Sequence, residues 1–302
     1  MSTLVLDTQA YQLSLQQGLL RCHHPEKGTR LLPWHGLSQI MIAKGVTIES
    51  EVLLKAAEYG VGVVLIGSRI KQLACVYPLK APADDFRLHQ YAMFSDKSMT
   101  KKLATLLMLG RMQGQKKTLC KLGIEPSAEW RYQATQLPLT DNLMLTEARM
   151  TAQYWQLLAT RLTVFGFSHR ERQPPCDPVN ALVSLTSTLE DPLYAKALLG
   201  QGFDIGLGIH HSTGYYRHSL LLDIKELTRS ELEYWVAGLF LSGQITASHF
   251  HHTDQGCRLT TQGQQVFYPL WFGFCRQHKK RVHKWAIKAK RLLLQQGIKD
   301  AA

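Results

Sequence analysis

Over residues 1–80 the apolar positions fall in short runs with frequent breaks, a pattern of short strands. Thr3–Asp7, Gln12–Leu15, Leu19–Cys22 and Leu37–Ile42 read as β-leaning segments. Gln17-Gly18 and the polar stretch His23–Arg30 read as turns between them. After Thr47–Ile48 the spacing becomes helical over Glu51–Tyr59, with Ser50 as N-cap and Gly60 as stop. Val61–Gly67 and Leu73–Tyr77 then predict two more strands. Gly60-Val61-Gly62 follows the helix instead of opening one, which argues against a dinucleotide-binding turn.

Two prolines and two aspartates in Tyr77–Asp85 mark a change of regime, and a linker is expected at residues 81–86. From 87 to 302 apolar residues recur at helical spacing. Helices are expected over Phe86–Leu122, Leu143–Phe165, Val179–Glu190, Asp191–Leu199, Glu226–Ser242, Gln262–Arg276 and Val282–Gln296. Asp177-Pro178 is a start signal for the third, and Ser248–Leu259 reads as a polar loop. The predicted fold class is α+β: a small β-rich N-terminal domain, residues 1–80, then a larger all-helical catalytic domain, residues 87–302, with a basic C-terminal tail.

Composition narrows the function. Apolar residues make up 45% of the chain, which excludes whole-chain disorder. No apolar run approaches the roughly 20 residues of a membrane span, and the N-terminus lacks a basic stretch followed by an apolar core. A soluble, cytoplasmic protein with no membrane partner is therefore expected. Six scattered cysteines without a CxxC pair read as reduced thiols. The formal net charge of +12 favours a polyanionic partner, or serves solubility alone. The charge is uneven: the last 28 residues hold nine lysines and arginines against Asp300 alone.

Candidate chemistry concentrates in Gly202–Arg229, which is glycine-rich, contains the pair His210-His211 and ends with Asp223 and Glu226. Histidine and carboxylate together are ligands suited to a divalent metal. Glu147 stands among Leu143, Met144, Leu145, Ala148 and Met150. An acid there must be paired, neutralised or metal-bound, because burying a lone charge is costly. Helix capping, or pairing with Arg149 or a distant arginine, accounts for it equally well. His249, His251, His252 and Cys257 lack the paired spacing of a structural zinc site and fit the polar loop.

The order of these blocks resembles the CRISPR-associated integrase family, the DNA-inserting subunit of spacer acquisition complexes. The residues that carry the resemblance are Glu147 with Ala152, Tyr154 and Trp155, followed by Arg170, Pro174-Pro175, Asp177-Pro178 and Asn180-Ala181-Leu182. Gly202, Asp204, Gly208 and His211 come next, and Leu222, Asp223, Ile224, Glu226 and Arg229 close the series. Arg87–Gln90, opening the helical part, and Gln113-Gly114-Gln115, ending its first helix, fit as well. The chain departs from the family by lacking a proline between Gly202 and Gly208 and by carrying Lys225 beside Glu226. Lys225 faces either a phosphate or solvent.

The resemblance implies Glu147, His211 and Glu226 as ligands of Mg²⁺ or Mn²⁺, with Asp223 as a supporting acid. His210 is left to packing, to supporting the site or to a DNA contact. It further implies a homodimer formed through the β-rich domain, and a small CRISPR-associated adaptor protein bridging two dimers. Double-stranded DNA fragments and repeat DNA are the implied substrates. Inserting DNA is a phosphoryl transfer in which a 3′-hydroxyl attacks a phosphodiester. No nucleotide need be hydrolysed, so a P-loop is not required. Arg87, Arg111, Lys225, Lys279, Lys280 and Arg281 are candidate DNA contacts, with Lys101, Lys102, Lys116 and Lys117 further cations on the first long helix. Tyr215-Tyr216-Arg217-His218 suits stacking, a place near the metal, or packing. Rival readings are a transposon-type integrase, a stand-alone repair nuclease for branched DNA, and a non-catalytic DNA-binding scaffold.

Overall fold

A computed structural model describes residues 2–6, 10–66, 73–76, 86–140, 142–211, 217–254 and 256–299. The chain forms two compact units, Met1–Pro82 and Ala83–Ala302. The expected linker lies outside the described residues except for Phe86, which opens a helix.

The first unit holds strands β1 (Ser2–Leu6), β2 (Gln12–Gln16), β3 (Leu19–His24), β4 (Gly28–Leu32), β5 (Leu37–Ala43) and β6 (Thr47–Ile48), then helix α1 (Ser50–Glu58), β7 (Gly62–Ile66) and β8 (Leu73–Val76). One sheet has the order β1-β5-β7-β8, parallel except for β8. The other has the order β4-β3-β2-β6, in which β2, β3 and β4 are antiparallel neighbours and β6 is parallel to β2. Gln17 and Gly18 both take positive φ, 52° and 76°, and so close the β2–β3 hairpin with the two-residue turn whose twist suits it. β4 emerges partly from residues that read as turn, because its exposed positions carry no apolar alternation. α1 begins one residue earlier than expected, with Ser50 inside it and Glu49 at the cap. Leu6, Leu13, Leu20, Ile40, Ile42, Val52 and Val63 form the core.

The second unit holds α2 (Phe86–Ser95), α3 (Lys97–Lys121), α4 (Ala128–Gln136), α5 (Leu143–Leu162), α6 (Pro178–Leu199), α7 (Ser219–Leu241) and α8 (Thr261–Lys299). The expected helix over Phe86–Leu122 is two, because Asp96 caps a new start by accepting from the N–H groups of Ser98 and Met99. Gln113–Gln115 therefore lie within α3 and do not end the first helix. Conversely, two expected helices merge into α6 with Pro192 inside it, and two into α8 with Pro269 inside it. The polar loop at Ser248–Leu259 is instead a short 3₁₀ turn followed by a hairpin of β9 (Phe250–Thr253) and β10 (Gly256–Leu259). No helix among the described residues is long and apolar enough to cross a membrane.

α3 and α7 pack closely through small residues. A Cβ on Gly110 would come within 2.6 Å of Leu227 Cδ2, and one on Gly114 would collide with Ser230 Oγ. One turn further along, Thr118 donates to the Ser230 carbonyl at 2.9 Å. Arg111 lies between these contacts and faces α7.

Candidate metal and phosphate site

Three helices meet at Arg111, which is buried on α3. Its guanidinium contacts Glu226 of α7 and lies 3.3 Å from Glu147 of α5. Glu147 accepts from Thr151 at 3.1 Å, one turn along its own helix. Glu226 also pairs with Arg229 at 2.9 Å, and Arg229 reaches Glu233 at 3.3 Å. Burial alone would raise the Glu226 carboxyl, but Arg111 and then Arg229 outweigh it and hold the group at about 2. Glu233, deeper and with less compensation, is raised by burial despite Arg229.

The loop after α6 brings the imidazoles to the same place. Asp223, fully buried on α7, accepts from the backbone N–H groups of Ile209, His210 and His211, the last two at 3.1 and 3.0 Å. Its second role is a 2.6 Å contact with His211 Nδ1. A carboxylate that accepts three N–H groups makes Nδ1 the donor, which leaves the lone pair on Nε2. The loop turns tightly at Gly208, where a Cβ would stand 2.6 Å from Ser219 Cβ and 3.2 Å from Asp223 Oδ2. Further back, Gln90 of α2 bonds both backbone groups of Asp204 at 2.9 Å, and Tyr91 donates to the Asp204 carboxylate at 2.9 Å. The His210 ring packs edge-on against His211, and burial lowers its pKa against the pull of Glu147.

Asp223 thus touches His211, Arg111 touches both glutamates, and His211 acts electrostatically on Glu226. Among the described residues no three His, Cys, Asp or Glu side chains are already gathered to hold a metal ion. The donor chemistry nevertheless fits a hard divalent cation: two carboxylates from separate helices share one positive charge, and an imidazole beside them keeps Nε2 available.

The expected DNA contacts divide. Lys225 is not at a phosphate or in solvent: it is buried, and its ammonium contacts Asp191 and the Ser187 carbonyl and lies 3.5 Å from Glu190. Arg111 is likewise no surface cation. Arg87 donates to the Gly202 carbonyl at 3.1 Å. Arg281 is exposed beside Glu231, Lys280 is exposed, and Lys279 is half-buried. Lys101, Lys102, Lys116 and Lys117 are exposed on α3. Tyr215 and Tyr216 lie outside the described residues, and His218 caps α7. His249 accepts from the Thr246 N–H at 3.0 Å, and Cys257 pairs across the hairpin with His252.

Arg172 carried no signal in the sequence, where Arg170–Pro178 reads as a break. It is exposed, and its pKa is lowered by desolvation and by Arg229, with Glu226, Arg111 and Glu147 also acting on it. Its neighbour Arg170 is taken up by Asn180 at 2.9 Å and Ser184 at 3.0 Å.

Fold and site together define an α+β protein whose helical unit gathers acids, imidazoles and arginines at one point. The family model described as CRISPR associated protein Cas1 matches residues 4–272, and the chain belongs to that family. A relative in Thermus thermophilus, named CRISPR-associated endonuclease Cas1 3, is 29% identical over 279 residues, covering 89% of this chain and 83% of the relative. The fold is similar to that of a CAS1 protein from Thermotoga maritima, with a TM-score of 0.88, 18% identity and 97% of each chain covered. It is also similar to that of a casposase bound to integration product, with a TM-score of 0.82, 16% identity, and 97% of this chain and 90% of that one covered.

Proposed function

We propose that this protein is a divalent-metal-dependent DNA endonuclease and integrase of CRISPR adaptation. It inserts short foreign DNA fragments into a repeat array by attack of a fragment's 3′-hydroxyl on a repeat phosphodiester, whose own 3′-oxygen leaves as a hydroxyl, so one phosphodiester replaces another. The observation that carries this reading is the meeting of Glu147 and Glu226, from separate helices, at Arg111, with His211 held by Asp223 and acting electrostatically on Glu226. Glu147, Glu226 and His211 Nε2 are the groups that would hold Mg²⁺ or Mn²⁺. When bound, the ion supplies charge neutralisation at the phosphate and lowers the pKa of the attacking hydroxyl. Asp223 fixes the imidazole's orientation and tautomer. Arg111 and Arg229 keep Glu226 ionised. Arg172 stands ready for a phosphate oxygen, and the exposed lysines of α3 and α8 serve the DNA backbone. Water in place of the hydroxyl gives hydrolysis, so nicking of branched or single-stranded DNA accompanies joining.

The family supports the assembly: a cytoplasmic homodimer, joined through the β-rich unit and bridged to a second dimer by a small adaptor. The fold's likeness to a casposase favours one second reading, a transposon-type integrase.

The test incubates purified protein with a short duplex bearing free 3′ ends and a supercoiled plasmid carrying a repeat, with Mg²⁺ or Mn²⁺. Joining and nicking are expected in the wild type and lost by on the order of 10³-fold in Glu147→Ala, His211→Ala and Glu226→Ala. Activity unchanged in all three removes this site. A wild type that binds DNA but never cuts or joins it is a scaffold, and joining that needs no adaptor favours the transposon reading.

A further inference from the structure

Two cysteines distant in the sequence come together where the β9–β10 hairpin lies against the loop before α6. The Cys257 N–H donates to the Pro175 carbonyl at 2.7 Å, and Cys176 is the next residue along that loop. A Cα stands about 2.8 Å from the preceding carbonyl oxygen, so the Cys176 and Cys257 Cα atoms are no more than about 7 Å apart. A disulfide spans Cα separations of roughly 4.4–6.8 Å. Gly256 permits the approach: a Cβ there would come within 2.6 Å of the Pro175 carbonyl oxygen and 2.9 Å of Pro174 Cβ. Cys176 is exposed, with its Sγ 3.5 Å from the Pro174 carbonyl, whereas Cys257 is buried. Cys176 and Asp177 both act electrostatically on the Cys257 thiol.

Each side of the pair is anchored independently. Asp177 caps α6 by accepting from the Asn180 N–H at 2.8 Å, and the Asn180 side chain accepts from the Glu171 N–H at 3.0 Å. Cys257 is fixed in register with His252 on β9. A bridge between them therefore orders little that is not already ordered. We propose that Cys176 and Cys257 form a reversible disulfide site, an exposed thiol that meets the oxidant and a buried thiol that resolves it. The class of oxidant is a small disulfide such as oxidised glutathione. The Cys176 thiolate attacks one of its sulfurs and a small thiolate leaves, giving a mixed disulfide. The Cys257 thiolate then attacks the Cys176 sulfur and expels the second small thiolate. The two protein thiols give up two protons and two electrons, and the oxidant ends as two small thiols. Hydrogen bonding to Glu171 raises the Cys176 thiol, and burial pushes Cys257 up to about 11, so the exchange is slow at neutral pH. The bridge encloses the segment that carries His211, Asp223 and Glu226, and it fastens the loop that carries Arg172. The inference stands apart from the DNA reading, since no step needs DNA or metal.

The experiment incubates the full chain with oxidised glutathione at pH 8.5, quenches with acid and digests without reductant. Mass spectrometry should find the Cys176 and Cys257 peptides joined, and dithiothreitol should part them. Closing so long a loop should raise the melting temperature by about 5–15 °C. Cys257→Ser should stop at a glutathione adduct on Cys176, and Cys176→Ser should form no bridge and show no shift. Cys176 lies at the surface, so its variant serves as the control even where Cys257→Ser fails to fold. A wild type that carries glutathione on Cys176 without bridging overturns the proposal. So does a bridge that forms only in urea, one to another cysteine or another molecule, or a melting temperature that falls on oxidation.

Discussion

The N-terminal unit buries hydrocarbon: Leu13, Leu20, Ile40, Val52 and Val63 are nearly or wholly sealed from water. Among its described residues His24 is the only buried polar side chain, and it is satisfied locally by the N–H groups of Glu26 and Lys27. The helical unit instead seals Arg111, Glu190, Asp223, Lys225, Glu226 and Glu233 inside. Hydrocarbon packing stabilises wherever it occurs, whereas a buried ion pair recovers its desolvation cost only with good geometry. The first unit is organised for stability. The second holds charge at fixed points, the arrangement expected where a charged substrate and a cation are handled.

The contrast breaks most sharply at Arg111. Removing it strips Glu147 of its ion pair and leaves Glu226 with Arg229 as its remaining one, and Arg111→Ala should lose about 3–5 kcal/mol in the helical unit. Leu13→Ala should cost about 2–5 kcal/mol in the other unit by leaving a cavity. Hydrogen exchange on each variant reads the two units separately; protection lost mainly in the unmutated unit would dissolve the division.

Acid sharpens the comparison. Glu226 sits at about 2 in the folded chain against an ordinary 4.5. A depressed carboxyl contributes stability that is full above pH 4.5 and lost as pH falls towards 2. Glu233 and Asp191 are raised by burial, so they oppose folding at neutral pH and cease to do so once protonated. Glu226→Gln should therefore flatten the acid loss of stability, followed by urea unfolding at stepped pH, while Leu13→Ala leaves its slope unchanged.

A smaller effect tests the support beneath His211. Asp223→Asn should weaken Mn²⁺ binding about 10- to 100-fold by calorimetry, because the imidazole loses its fixed tautomer. Wild-type affinity in that variant would make Asp223 a loop anchor only. The smallest effect concerns thiols. Burial lifts Cys22 and Cys257 to about 11 and Cys275 to about 12, which starves each of thiolate near neutral pH. Alkylation at pH 7.5 should mark exposed Cys120 first and spare these three, as mass spectrometry would show.

Where side chains repeat with a clear period, the sequence disclosed the structure: most of the short strands of the first unit, the glutamate helix α5, and α7 from Glu226 onward, though its start at Ser219, Asp223 included, lay outside the expected helix. The order of motifs brought Glu147, His211, Asp223 and Glu226 to notice before any fold was known. Local signals misled where tertiary packing decides. Pro192 looks like a break, yet α6 continues through it, and the polar, basic run at residues 277–281 parted two expected helices that α8 joins. The β9–β10 hairpin buries only Phe250, Cys257 and Leu259, too few positions to show alternation. Arg111 and Lys225 read as surface cations because a sequence displays a charge without the acids that will enclose it. Arg172 carried no signal for a related reason: the charges that act on it arrive from α3, α5 and α7.

The glycines of α3 give the pairing of Arg111 a further meaning. Gly110 and Gly114 flank it and let α3 approach Leu227 and Ser230 on α7. The distance between the opposite charges is thus set by residues that carry none. A screen for inactive variants would recover Gly110 and Gly114 and, finding no chemistry to assign them, file them as folding defects. They are better understood as the gauge of the site, two missing methyl groups that determine how far apart its charges stand.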